Sequence, residues 1–151
     1  MALDNPYLYA LAERIHGHLG WLGLAVLLHP VVLLRTRRRS APGTRLTAGL
    51  GAGLLLLAYA LGWWLYPAYR TAVKPALMRA SIPWVLAFEA KEHLAFLSVA
   101  MAVGGAGALL LDGKAAQTQA AAWSLLVVSW LCGLATGILG VMIAARAHPA
   151  W

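Results

Sequence analysis

Residues 46–66 read LTAGLGAGLLLLAYALGWWLY, a stretch without one charged side chain. A hydrocarbon core of roughly 30 Å takes about 20 apolar residues of helix to cross, and this run supplies them. Its apolar residues do not alternate with polar ones, and the run is too long for a strand. Comparable stretches flank it: Leu19 to Leu34 before, about Trp84 to Leu111 and about Ala121 to Ala145 after. The chain has 151 residues, of which 62% are hydrophobic, and a mean hydropathy of +0.72. Those values put it in the membrane class, with one domain's worth of chain. The fold expected is all-α, a single integral-membrane four-helix up-down bundle with spans at about 17–35, 46–68, 84–111 and 121–145. Pro67 to Pro83, between the second and third spans, forms a short capping segment on the outer face.

The net charge of +7 is arranged as a membrane protein arranges it. Arg35, Arg37, Arg38, Arg39 and Arg45 crowd the short connection between the first two spans. Basic loops stay in the cytoplasm, which sets both termini on the outer side of what is then a bacterial inner membrane. Lipid phosphates are the natural partners of such arginines, and nucleic acid is not expected. Asp4, Glu13 and Arg14 precede the first apolar run, so no cleavable leader is expected there. Asn5-Pro6 reads as a helix start. Cys132, the sole cysteine, excludes an internal disulfide, a C-x-x-C-H haem attachment and a cysteine-ligated cluster from this chain alone.

Up-down threading gathers His16, His18, His93 and His148 on one membrane face with Asp4, Glu13, Glu89 and Glu92. Ionisable groups at membrane depth are costly, and so they are functional candidates. Glu89 and His93, four apart, share a helix face with Phe96, Ala100 and Gly104. Glu92 lies beside that face, while Lys91 points elsewhere and is expected to snorkel outwards. On the first helix His18 and His29 share one face, and His16 takes the other with Gly20 and Gly23. Pro30 removes the amide that would bond the Val26 carbonyl, so a kink is expected, with His29 beside it satisfied by that carbonyl or by a neighbouring helix. Arg70, Lys74 and Arg79 form a basic stripe above the bundle mouth. Gly49 and Gly53, and Gly133 with Gly137 and Gly140, are small residues at helix-packing spacing; within the bundle they pack helices, and between copies they make a homo-oligomer seam.

Three chemistries fit this face. A b haem needs two imidazoles from different helices at one depth, and His18 or His16 with His93 supply them. Glu89 or Glu92 then orients an imidazole, and Arg70 and Lys74 neutralise propionates. On these histidines and the four-span architecture the chain resembles the small b561-like membrane cytochromes. That resemblance implies electron transfer with quinone or quinol, or with a larger membrane complex. His29 alone on the inner side limits the haems to one, near the outer face. The second chemistry is a mononuclear Zn, Cu or Fe site from Glu13-x-x-His16, Glu89 and His93, in a metal-dependent membrane enzyme or transporter. The third is a charged collar of Glu89, Glu92, Arg70, Lys74 and Arg79 that docks a partner, with no cofactor, in an accessory or assembly subunit.

Overall fold

Proline opens the first helix, as Asn5-Pro6 leads one to expect: α1 runs Pro6–Arg37. The computed structural model describes residues 6–37, 41–112 and 114–147. Asp4, Asn5, Arg38, Arg39 and His148 lie outside the described residues. After α1 come α2 (Pro42–Ala68), a π-helical turn (Tyr69–Val73), α3 (Lys74–Ala80), α4 (Ile82–Asp112) and α5 (Ala116–Ala147). No strand occurs among the described residues, and four helical stretches are long and apolar enough to cross a membrane. The all-α bundle is therefore what forms.

The capping segment is continuous with the second span. Lys74 donates its amide to the carbonyl of Tyr69, five residues back, which is the wide bond of a π turn. Pro75 gives the reason. Its ring collides with the carbonyl four residues earlier, that of Thr71, and a wide turn moves that carbonyl aside.

The most extensive packing is between α1 and α2 and between α4 and α5; α2 against α4 and α1 against α5 close the ring. Helices α1 and α4 scarcely touch, and so they face one another across the diagonal. Along α2 the buried residues Thr44, Ala48, Gly51, Ala52, Leu55 and Ala58 recur every three or four positions, one helical stripe. The stripe meets Leu24, Leu27 and Leu34 of α1, with Ala102, Ala106, Leu109, Ala122 and Leu126 from the other pair, in an inner core. A second, smaller core lies at the cap end, where Val73 and Leu77 of the cap pack on Val85, Phe88 and Ile143. On α4 no residue between Phe88 and Ser98 is buried, and on α2 none between Ala58 and Leu65. The apolar core is interrupted there.

Side chains bonded to main-chain carbonyls of other helices fix the registers. Trp123 and Trp130 of α5 donate their indole N–H groups to the carbonyls of Val31 (3.1 Å) and Leu24 (3.2 Å) on α1, on either side of the buried Pro30. Ser98 of α4 donates to the Ser129 carbonyl of α5 at 2.8 Å. His29 takes the neighbouring helix rather than the carbonyl freed by Pro30: its Nδ1 lies 2.9 Å from the Thr47 hydroxyl oxygen. That hydroxyl donates to the Gly43 carbonyl, so the imidazole is the donor.

The glycines of α2 and α5 receive side chains. A Cβ on Gly137 would lie 2.9 Å from the Trp21 ring, one on Gly62 2.8 Å from His16, and one on Gly140 3.4 Å from Lys91 Cε. Gly133, which is buried, meets Leu24 and Ser98. Gly133 and Gly137 thus face into the bundle, away from the surface a homo-oligomer seam would use. Gly49 and Gly53 have open space instead. Gly137→Leu should lower the thermal midpoint in detergent by several degrees, an overpacking loss of roughly 1–3 kcal/mol. Gly53→Leu should leave the midpoint within about a degree, since exposed substitutions stay near ±0.5 kcal/mol. Equal effects of the two substitutions on circular-dichroism melts would contradict this assignment of the inward ridge.

Candidate functional site

The gap in the core is a cavity of about 580 Å³, within the range of roughly 300–1,000 Å³ typical of ligand sites. It lies at the cap end of the bundle, since its lining comes from the beginnings of α1 and α4 and the ends of α2 and α5. The threading expected from sequence thus brings Glu13, His16, Glu92 and His93 to one place. Ring walls come from Trp21, Tyr59, Trp63, Tyr66, Tyr69, Phe88 and Phe96. From the capping segment Tyr69 reaches its lining.

Helix α1 contributes Glu13, His16, Gly17, Gly20 and Leu24, successive members of the stripe that also carries the core leucines. His16 donates from Nδ1 to the Ala58 carbonyl of α2 at 2.7 Å, so its Nε2 carries the free lone pair. Its ring lies against Gly62, where any larger residue would collide with it. Glu13 accepts a hydrogen bond of 2.6 Å from the Tyr69 hydroxyl in the π turn. Tyr9, whose ring centroid is 6.3 Å from that of Tyr69, has a buried hydroxyl with no hydrogen-bond partner among the described residues.

Helix α4 contributes Phe88, Lys91, Glu92, His93, Ala95 and Val99. His93 is exposed at the cavity rim and donates from Nδ1 to the Glu89 carbonyl of its own helix at 2.8 Å, again leaving Nε2 free. The face shared by Glu89, Phe96, Ala100 and Gly104 only borders the cavity: Phe96 lines it yet is exposed, and Ala100 and Gly104 are exposed too. Lys91, expected to snorkel outwards, turns inwards. Its ammonium lies 5.8 Å from the centre of the Tyr69 ring, and its stem fills the space above Gly140. Sequence reading missed Lys91 and Tyr69. A lysine followed by two ionisable residues at a span boundary was the available signal, and the tyrosine sat in the segment read as a cap over the bundle.

His18 is not part of this cavity. It is exposed, donates from Nδ1 to the Arg14 carbonyl at 2.7 Å, and borders a surface hollow formed by α1 alone. The structure therefore does not bring His18 and His93 together; it brings His16 and His93 together. Lys74 is held by Glu89 at 2.9 Å in a partly exposed ion pair, of the kind worth at most about 1 kcal/mol. Arg70 lies over the Tyr66 ring at 5.9 Å and Arg146 over Trp84 at 5.3 Å. Neither Arg70 nor Lys74 lines the cavity. Among the described residues no three His, Cys, Asp or Glu side chains converge on one point that could hold a metal ion. Glu13, His16 and Glu89 each spend an atom elsewhere, on Tyr69, Ala58 and Lys74. Compared with known proteins, the chain matches no family model, no curated protein and no solved structure.

Tyr69→Phe leaves the Glu13 carboxylate without its donor, and the loss expected is roughly 1–3 kcal/mol of stability. Adding Glu13→Gln should recover part of it, so the two substitutions will not be additive in a double-mutant cycle. Additive losses in unfolding measurements would mean that the bond carries no coupling energy.

Proposed function

We propose that this protein is a cytochrome-like electron-transfer protein of the bacterial inner membrane, with one b haem held in the outer cavity between His16 and His93. The observation that carries this reading is the shared cavity of two imidazoles from diagonal helices. Both have Nδ1 committed to a carbonyl and Nε2 uncommitted. A carbonyl bonded to Nδ1 fixes the ring's tautomer and orientation, as second partners do for ligating histidines. A b haem bound there would supply one-electron transfer, with quinol or a larger complex as the exchange partner. The chain's own residues do the positioning: Ala58 orients His16, Glu89 orients His93, and Tyr69 fixes Glu13 at the cavity wall. Phe88 and the cap residues Val73 and Leu77 keep water from the outer end. In this reading both termini are on the outer side, and the arginine-rich connection after α1 is cytoplasmic.

Purified protein from haem-replete cells should show a Soret band with a dithionite-induced shift. His16→Ala and His93→Ala should each remove most of it, while His18→Ala should retain it. Absence of any Soret band in the unaltered protein would end this proposal, and loss on His18→Ala with retention on His16→Ala would move the ligand.

A second reading, a non-enzymatic accessory subunit with a charged docking collar, draws on the Lys74–Glu89 pair and the exposed Arg70 and Arg79 around the cap. It separates from the first at once, because reversing those charges would abolish partner co-purification while His16→Ala would not.

A further inference from the structure

Lys91 is a part-buried cation that lines this cavity with no ion pair or hydrogen bond of its own among the described residues. A cation taken out of water is held by a carboxylate, by hydrogen bonds or by a ligand, since burial without them is costly. Among the described residues no carboxylate oxygen lies within ion-pair distance of the Lys91 ammonium, and no acceptor bonds it. Among the described residues its direct contact is the face of Tyr69, a cation–π contact worth a fraction of an ion pair, while the charges of Glu92 and Glu13 act on it from beyond ion-pair distance. Two carboxylates do face the same cavity. Glu13 is held by the Tyr69 hydroxyl, and Glu92, the next residue along α4, attracts Lys91 without closing an ion pair with it. The lysine stem occupies the space over Gly140, so the ammonium is aimed inwards by the packing of α4 on α5.

The flank between α2 and α4 tells what kind of ligand reaches it. Trp63 and Phe96 line the cavity yet are 69% and 61% exposed on the side turned to lipid, with the Tyr59 ring 6.4 Å from that of Phe96. At the cap end Val73 and Leu77 pack on Phe88, a ring that lines the cavity. A ligand that enters along this aromatic flank is apolar over most of its surface.

We infer that Lys91 is the anchor for a carboxylate on an apolar, membrane-partitioning ligand of the outer cavity. In the haem reading, on which this rests in part, the carboxylate is a propionate, and Lys91 takes the role expected of Arg70 and Lys74. A long-chain fatty acid carries the same group on an apolar body, and the two sources can be told apart.

The purified protein, in nanodiscs, is titrated with haemin, haemin dimethyl ester, oleate and methyl oleate, followed by quenching of Trp21 and Trp63 fluorescence and, for the haems, by absorbance. The free acid of at least one pair should bind tenfold or more tightly than its ester, as befits a charged hydrogen bond in a partly dry site. Lys91→Met should erase that preference, and Lys114→Met on the opposite face should not. Equal affinity for acid and ester in the unaltered protein, binding of none of the four, or a preference that survives Lys91→Met would overturn the inference. The acid–ester comparison needs no variant, so it stands even if Lys91→Met fails to fold. Oleate preferred over its ester, with no haemin bound, sinks the haem reading and keeps the anchor. Haemin and its ester bound equally, with no preference for oleate over methyl oleate either, sinks the anchor and keeps the haem.

Discussion

Inside a bilayer no water is on hand to bond a polar side chain, so every such group must find its partner within the protein. This bundle meets that demand by aiming side-chain donors at main-chain oxygens of other helices. His16 reaches α2, Trp123 and Trp130 reach α1, and Ser98 reaches α5. Each bond fixes both a rotation and a depth, because the acceptor is one particular carbonyl. Measured strengths of such interhelical bonds average only about 0.6 kcal/mol. Their effect is on register more than on stability. Register is what places the cavity residues of α1 opposite those of α4.

The site follows from an arrangement in two tiers. The larger core is made of leucine and alanine; the one at the cap end is small and built from the cap, α4 and α5 together. Between them the same inward stripes continue, but they carry Glu13, His16, Lys91 and Glu92 in place of leucine. Had α3 been a loose connector, those residues would face bulk water and the Tyr69–Glu13 bond would compete with solvent. A π turn that holds the cap in line with α2 thus contributes directly to the character of the cavity.

The fold was legible because charge-free runs of the required length have few other uses. Which face of each helix points inwards was not. In a soluble helix the polar side declares the surface, whereas here Leu22 and Ala25 beside His18 are as apolar as Gly20 and Leu24 beside His16. Hydrophobicity alone does not separate lipid from protein interior. The small residues were the better guide, since Gly17 and Gly20 run with His16. Lys91 was misread for a related reason. Its inward turn depends on Gly140 and on the ring of Tyr69, both remote in sequence, and the π turn that positions the latter depends on Pro75. The polar gathering at one end, by contrast, followed from counting spans.

Trp21 with Gly137, His16 with Gly62 and Lys91 with Gly140 are matched as peg and hole across different helices. Neither member of such a couple can drift in size by itself: a bulkier hole expels the peg, and a shorter peg opens a void. Among descendants of this chain, substitutions at these couples should appear jointly, with the summed volume held nearly constant. Positions such as Gly53, which shelter nothing, are free to vary singly.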